Sequence, residues 1–175
     1  MNSEKPPRIL LGCPTHVFKQ DSLKKYWEGI HSYTYPNFDI VIEDNSPTPE
    51  YARLLERIGK DWEEKNTGRT CRILYSGQIS KSARERLVYG RNLIREIVLK
   101  ENYDYFMSLE QDVVLPMGGI ERLLEHNKAI TSGAYLNQRL NKETQKMDMA
   151  VMGGVYKTEE DAMRTYVSGL SILDL

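Results

Sequence analysis

Two carboxylates one residue apart, Glu110 and Asp112, stand where an apolar run gives out in the stretch "YDYFMSLEQDVVLP", residues 103–116. Acids spaced this way at a strand end sit on a rigid base. They can take a hard divalent cation that keeps several waters and bridges to phosphates. Such an ion works as a Lewis acid, neutralising a leaving diphosphate as its bond breaks. Read alone, such a pair more often caps the turn or meets a nearby arginine. A further acid, Asp44, closes the run "FDIVIED". An Asp after a strand of an open α/β sheet can accept hydrogen bonds from a ribose hydroxyl or a base N–H, while "DNS" is also ordinary turn chemistry.

These acids need elements that hold them at one edge, and the sequence supplies a regular alternation. "RILLGC" reads as a buried strand that stops at Pro14, and Leu23, Trp27 and Ile30 then fall on one helical face. Ile40, Val41 and Ile42 form the second strand. Thr48 and Pro49 start a helix running to about Glu64, with proline at the first helical position, and "CRILYS" is the third strand. Ser82 with Glu85 makes a capping box ahead of a helix whose stripe is Ala83, Leu87, Gly90, Ile94 and Ile97. Gly90 on that stripe allows close approach to whatever the helix covers. "YDYFMSL" is the fourth strand, "IERLLEHN" a short helix, and "AITSGAYL" a fifth strand. Beyond it, "NQRLNKETQKMD" reads as a loop, with "MAVMGGVY" and "TYVSGLSILDL" as further strands.

Strands alternating with helices imply right-handed βαβ units, an α/β fold with a mostly parallel sheet flanked by helices. Ligands then gather outside the carboxyl ends of the strands. Pro14-Thr15-His16, Glu43-Asp44-Asn45-Ser46 and Glu110-Gln111-Asp112 all fall at that edge.

The chain of 175 residues suits one domain able to bury a sizeable core. With 24 Lys and Arg against 25 Asp and Glu, the net charge of −1 offers no electrostatic argument for binding nucleic acid or an anionic membrane. No apolar segment has the length of a transmembrane helix, and "MNSEKPPR" lacks the apolar stretch of a secretory signal, so a soluble, cytoplasmic protein is expected. Cys13 and Cys71 lie in strands without metal-ligand spacing and read as reduced core thiols, with pairing across neighbouring strands the alternative. His16, His31 and His126 show no metal-binding spacing and read as surface or loop residues.

Taken in order, "VIEDNSPTPE", "ARERLVYGRNLIREIV" and "YDYFMSLEQDVVLP" resemble the nucleotide-sugar half of the GT-A fold glycosyltransferases, nearest to the family 2 type. That family has a strand ending in an Asp-rich turn with Ser, a helix carrying Arg-Asn, and a strand entering a D-x-D motif. The similarity spans residues 8–137 and implies a single GT-A, Rossmann-like domain over 1–175, with 138–175 opening the acceptor side. It implies that Pro14 and Thr15 lie near the base, that Asp44 holds base or ribose, and that Arg91 points to the nucleotide and the acidic motif. Gln111 would join the nucleotide-facing residues. Asp112 would coordinate Mn²⁺ or Mg²⁺ on the diphosphate, with Glu110, in place of the motif's first Asp, acting directly or through water.

The implied reaction moves a sugar from a UDP- or GDP-sugar to a hydroxyl of a saccharide, lipid or protein acceptor, as a hexosyltransferase of the inverting kind. Inverting members use a carboxylate base beyond the D-x-D motif. Here the candidates are Asp148, Asp161 and Asp174, with Glu159 and Glu160, and no spacing selects among them. The apolar ending reads as a last strand, which makes the chain a minimal or C-terminally truncated version of the fold. Tyr135, at the end of the expected fifth strand, could face a sugar with its ring. The rival reading is a nucleotide-binding module or fragment without turnover. A dinucleotide turn and a P-loop both lack their glycines here. A nucleotidyltransferase would show a Gly-rich loop with Arg and Lys after the first strand.

Overall fold

The computed structural model describes residues 5–133, 135–140, 144 and 147–152. The chain divides into two compact units, Met1–Ile120 and Glu121–Leu175. The first unit carries a four-stranded, all-parallel sheet built from β1 (Ile9–Thr15), β2 (Phe38–Asp44), β3 (Cys71–Tyr75) and β4 (Tyr105–Ser108), in the order β3-β2-β1-β4. Between them run a 3-10 turn (Val17–Ser22), α1 (Leu23–Ser32), α2 (Glu50–Lys65) and α3 (Ala83–Lys100); α4 (Gly119–Glu125) follows β4. Among the described residues no helix is long and apolar enough to cross a membrane.

Every residue of β1 and β2 is buried, as expected of central strands covered on both faces. The pleat divides them between two cores. On one face Leu10 and Val41 pack with Ile94 of α3 and with Tyr103, and a Cβ on Gly12 would meet Ile94 at 2.8 Å. On the other face Cys13 meets the Tyr26 hydroxyl of α1 at 3.6 Å, and Phe38 packs against Trp62 of α2, the rings tilted with centroids 5.5 Å apart. Both cysteines are free, and burial pushes each thiol up to about 12, so they are inert core groups.

Four expectations need correction. Pro14 does not stop β1: it pairs with Glu43 in register, and the strand ends at Thr15. Gly12 offers its carbonyl to Leu109 N on the β4 side, so by strand alternation Pro14 would point its missing N–H to that side too, beyond the last β4 pairing at Ser108. A proline there sacrifices no ladder bond. Pro49 occupies the N-cap of α2, one residue before the first helical position. The capping box at α3 is half made: Ser82 Oγ accepts from Glu85 N at 3.4 Å, while the Glu85 carboxylate bonds Ser80 Oγ and Ser82 N donates to that same hydroxyl.

The fourth correction concerns the fifth strand, expected at 129–136. Residues 129–133 form no strand; β5 (Tyr135–Leu140) starts later and pairs antiparallel with β6 (Met147–Met152) in a separate two-stranded sheet of the second unit. All of "NQRL", 137–140, expected as loop, is therefore strand. Partner pairing overrides local β-propensity, and residues 135–140 have the partner that 129–133 lack. The last expected strand, 165–175, lies outside the described residues.

Candidate functional site

The strand order reverses between β1 and β4, and the carboxyl ends of strands flanking such a reversal form the binding crevice of an open α/β sheet. Past Ser108, β4 leaves its partner, and the chain turns through Glu110-Gln111-Asp112, closed by Val113 N donating to Glu110 O at 2.9 Å. The turn buries its middle residue and leaves the two neighbours more exposed. Gln111 is only 1% exposed. Its Oε1 accepts from the Thr15 hydroxyl and, at 2.9 Å, from Tyr51 of α2, while its Nε2 donates to the Lys19 carbonyl at 2.7 Å. Gln111 thus locks the acidic turn to β1, to α2 and to the 3-10 turn; its amide is taken up by the protein.

Outside the lock, the Lys19 ammonium donates to Glu110 Oε2 at 3.0 Å and to Asp112 Oδ1 at 3.3 Å. Arg91 of α3 reaches the other oxygen of Glu110 at 3.0 Å. Burial alone would lower the Lys19 pKa, but the bond to Glu110 and the charges of both acids outweigh it, and the net shift is upward. The pair therefore meets cations from two elements, as one of its sequence readings anticipated.

Asp44, opposite Thr15 in the ladder, is fully buried. Its Oδ1 accepts from Ser46 N at 3.0 Å and from the Ser46 hydroxyl, and Ser46 Oγ in turn accepts from Val17 N at 2.8 Å. Its Oδ2 is buried without a bond of ordinary geometry, with the Ala52 amide in the first turn of α2 as a weaker influence. Burial raises its pKa against the pull of Ser46. An unsatisfied buried carboxylate oxygen is an acceptor waiting for a donor.

Glu43, beside it, is equally buried, bonded to the Ser76 hydroxyl and to Asn45 Nδ2 at 3.2 Å. Asn45 Oδ1 accepts from Arg86 Nε at 3.2 Å, and Arg86 also donates to the carbonyls of Ser80 and Lys81 at 2.7 and 3.1 Å. This chain of bonds fastens β2, the loop after β3 and α3 around the edge. His16 caps the 3-10 turn by accepting from Phe18 N at 3.2 Å. Burial, then Arg86, lower its pKa against Asp44.

No family model fits the chain, and no curated protein matches it. The site is therefore read from its own chemistry.

Pro14, Thr15, Asp44, Arg91, Glu110, Gln111 and Asp112 all belong to the first unit, and the ladder and hydrogen bonds join Thr15 to Asp44 and Gln111, and Arg91 to Glu110. Pro14 and Thr15 are buried, Arg91 exposed. Asp148 lies on β6 opposite Arg139, and Tyr135 begins β5 instead of standing at a strand's end; both are in the second unit. Asp161, Asp174, Glu159 and Glu160 lie outside the described residues.

The donor chemistry at the acidic turn fits a hard divalent ion. Two carboxylate oxygens already converge on one cation, the Lys19 ammonium, which stands in for the ion's charge. Among the described residues no group of three or more His, Cys, Asp and Glu gathers. Two carboxylates completed by phosphate oxygens and water are what Mg²⁺ commonly takes.

Sequence reasoning missed Lys19, Tyr51 and Arg86. Arg86 had a signal, because it lies four residues before Gly90 and eight before Ile94, on the face that α3 buries. Lys19 had none, since its partners are 91 and 93 residues away.

Proposed function

We propose that this protein is a metal-dependent glycosyltransferase of GT-A type, moving a sugar from a UDP- or GDP-sugar to a hydroxyl acceptor. One observation carries the reading: at the strand-order reversal, a buried Asp44 oxygen without a partner and a cation-gathering pair, Glu110 and Asp112, are tied together through Thr15 and Gln111. A nucleoside diphosphate needs an acceptor for its base or ribose and positive charge for its phosphates, and this edge offers both.

Asp44 Oδ2 accepts from a base N–H or a ribose hydroxyl, with Thr15 beside it on the same face of the sheet and Pro14 on the other. Arg91, exposed and reaching in from α3, lends its guanidinium to the phosphates. Asp112 would hold the divalent ion, with Glu110 direct or through water, and when bound the ion supplies Lewis-acid neutralisation of the departing diphosphate. The Gln111 lock holds both acids in place without being spent on the ligand, which is the preorganisation that lowers the cost of binding charge.

Calorimetry with UDP and GDP, each with and without Mn²⁺, tests the reading. Heat of binding for one nucleotide with the metal present, lost in Asp112→Ala, is the expected outcome. No heat for either nucleotide with Mn²⁺ present overturns it. Slow hydrolysis of the matching nucleotide sugar then separates a transferase from a module that only binds.

A further inference from the structure

Lys19 has no part in the chemistry just described, yet the protein fixes it with care. Its carbonyl accepts from Gln111 Nε2 and from Ser22 Oγ, both at 2.7 Å, and its N–H donates to His16 O at 2.8 Å. Gln111 stands between Glu110 and Asp112 in the chain, so one buried amide anchors the Lys19 backbone to the turn that carries both acids. Only the alkylammonium end is left to swing, and it is about one-third exposed, at 32%.

That ammonium takes one oxygen from each acid, Glu110 Oε2 and Asp112 Oδ1, the two that a divalent ion would need. Two cations cannot share these oxygens at contact distance, because their mutual repulsion grows as one over distance. Ion and ammonium are therefore alternatives. Glu110 and Asp112 bring two negative charges, Lys19 and Arg91 two positive ones, so a bare divalent ion meets a locally neutral site. A diphosphate changes that balance: its oxygens attract the ammonium and guanidinium and leave the carboxylates to the ion.

We propose that Lys19 is a displaceable counter-ion of the Glu110–Asp112 pair, which makes divalent-ion binding conditional on a nucleoside diphosphate. The inference rests on the functional reading above. Linkage makes the coupling reciprocal, so the ion must tighten the diphosphate by the same factor as the diphosphate tightens the ion.

Free Mn²⁺, followed by its paramagnetic resonance signal during titration of the full-length protein without nucleotide, tests the counter-ion directly. Lys19→Met keeps the length of the stem and removes the charge; its Mn²⁺ affinity rises about tenfold over the unaltered protein, within the usual span of coupled sites. Lys19→Gln behaves in the same way, Lys19→Arg stays at the unaltered value, and adding Asp112→Asn to Lys19→Met cancels the gain. Equal Mn²⁺ affinity in the unaltered protein and both neutral variants, with their thermal unfolding unchanged, overturns the inference. UDP heats measured at fixed Mn²⁺ keep the two ideas apart. If those heats persist while Lys19→Met gains no ion affinity, only the counter-ion role falls. If no sample binds Mn²⁺ and UDP and GDP give no heat with Mn²⁺ present, both fall.

Discussion

A buried carboxylate held only by neutral hydrogen-bond donors is expensive to keep charged, and Glu43 is such a group. Burial raises its pKa above the usual 4.5, further than the bonds from Ser76 and Asn45 pull it down, and the adjacent Asp44 adds to the rise. The folded state thus holds the proton more tightly than the unfolded chain. The stabilising contribution is full below pH 4.5 and is lost as pH climbs through the raised folded value. Glu43→Gln keeps a partner for both Asn45 and Ser76 and removes the ionisation. In thermal melts from pH 4.5 to 8, its melting temperature is expected to gain on the parent as pH rises; a gap independent of pH would refute this. Asp44 is coupled to Glu43, and losing that neighbouring charge also eases its own ionisation, so the difference reports the pair and keeps the same sign. Its own test is ligand affinity. Asp44→Asn removes a charged acceptor worth about 1.5–3 kcal/mol, which lowers UDP affinity roughly tenfold to a hundredfold in calorimetry. Asp44, Glu110 and Asp112 were legible in the sequence because acids that close apolar runs stand out. Glu43 was legible only as a member of a polar cluster, and its burial follows from Ser76 and α3, which a local pattern does not reveal.

At the scale of elements, α3 sits against the sheet edge through Gly90. A Cβ there would overlap the Glu43 carboxylate and lie 3.1 Å from Pro14 Cβ. In an isolated helix, Ala in place of Gly would gain about 1 kcal/mol. Here the opposing term is overpacking, about 1–3 kcal/mol, and Glu43 is held by Ser76 and Asn45 and cannot easily swing away. Gly90→Ala is therefore expected to destabilise the protein in denaturant unfolding. Glu43→Ala in the same chain should recover part of that loss, a non-additivity that a double-mutant cycle reads directly; strict additivity would place the clash elsewhere. The close approach was foreseeable from a glycine on an apolar stripe, though its partner was not. Hydrophobic periodicity likewise located β1 to β4 and α1 to α3, because each buries one face or two against a neighbour. After residue 128 it found strands but not their bounds: the expected 129–136 meets β5 only at 135–136, and of the expected 149–156 residues 149–152 lie in β6, because β5 and β6 depend on each other and no periodic run marks their register.

Across the whole of the first unit, β2 carries a charge contrast from one end to the other. At its amino end Asp39 accepts from Arg8, from Thr70 N at 2.7 Å and from the Tyr103 hydroxyl at 2.9 Å. Burial there would raise its pKa, but Thr70, Arg8 and Tyr103 together bring it below 3.8, so its contribution to stability is present above that value and is lost as pH falls through the lower folded one. At the carboxyl end Asp44 is shifted the other way and keeps an oxygen without a partner. Five residues of extended chain separate the two, about 16 Å. One strand therefore holds a carboxylate satisfied for stability and another left unsatisfied, the division expected when one edge of a sheet binds and the opposite edge only folds. Asp39→Ala should cost about 2 kcal/mol through lost charged hydrogen bonds, lowering the melting temperature by about 4–8 °C. It should leave UDP affinity with Mn²⁺ unchanged. Asp44→Ala should abolish binding, and its melting temperature falls as well, because Ser46 N and Oγ lose their buried acceptor. Should Asp39→Ala weaken UDP as much as Asp44→Ala does, the ligand edge is not at the carboxyl ends of the strands.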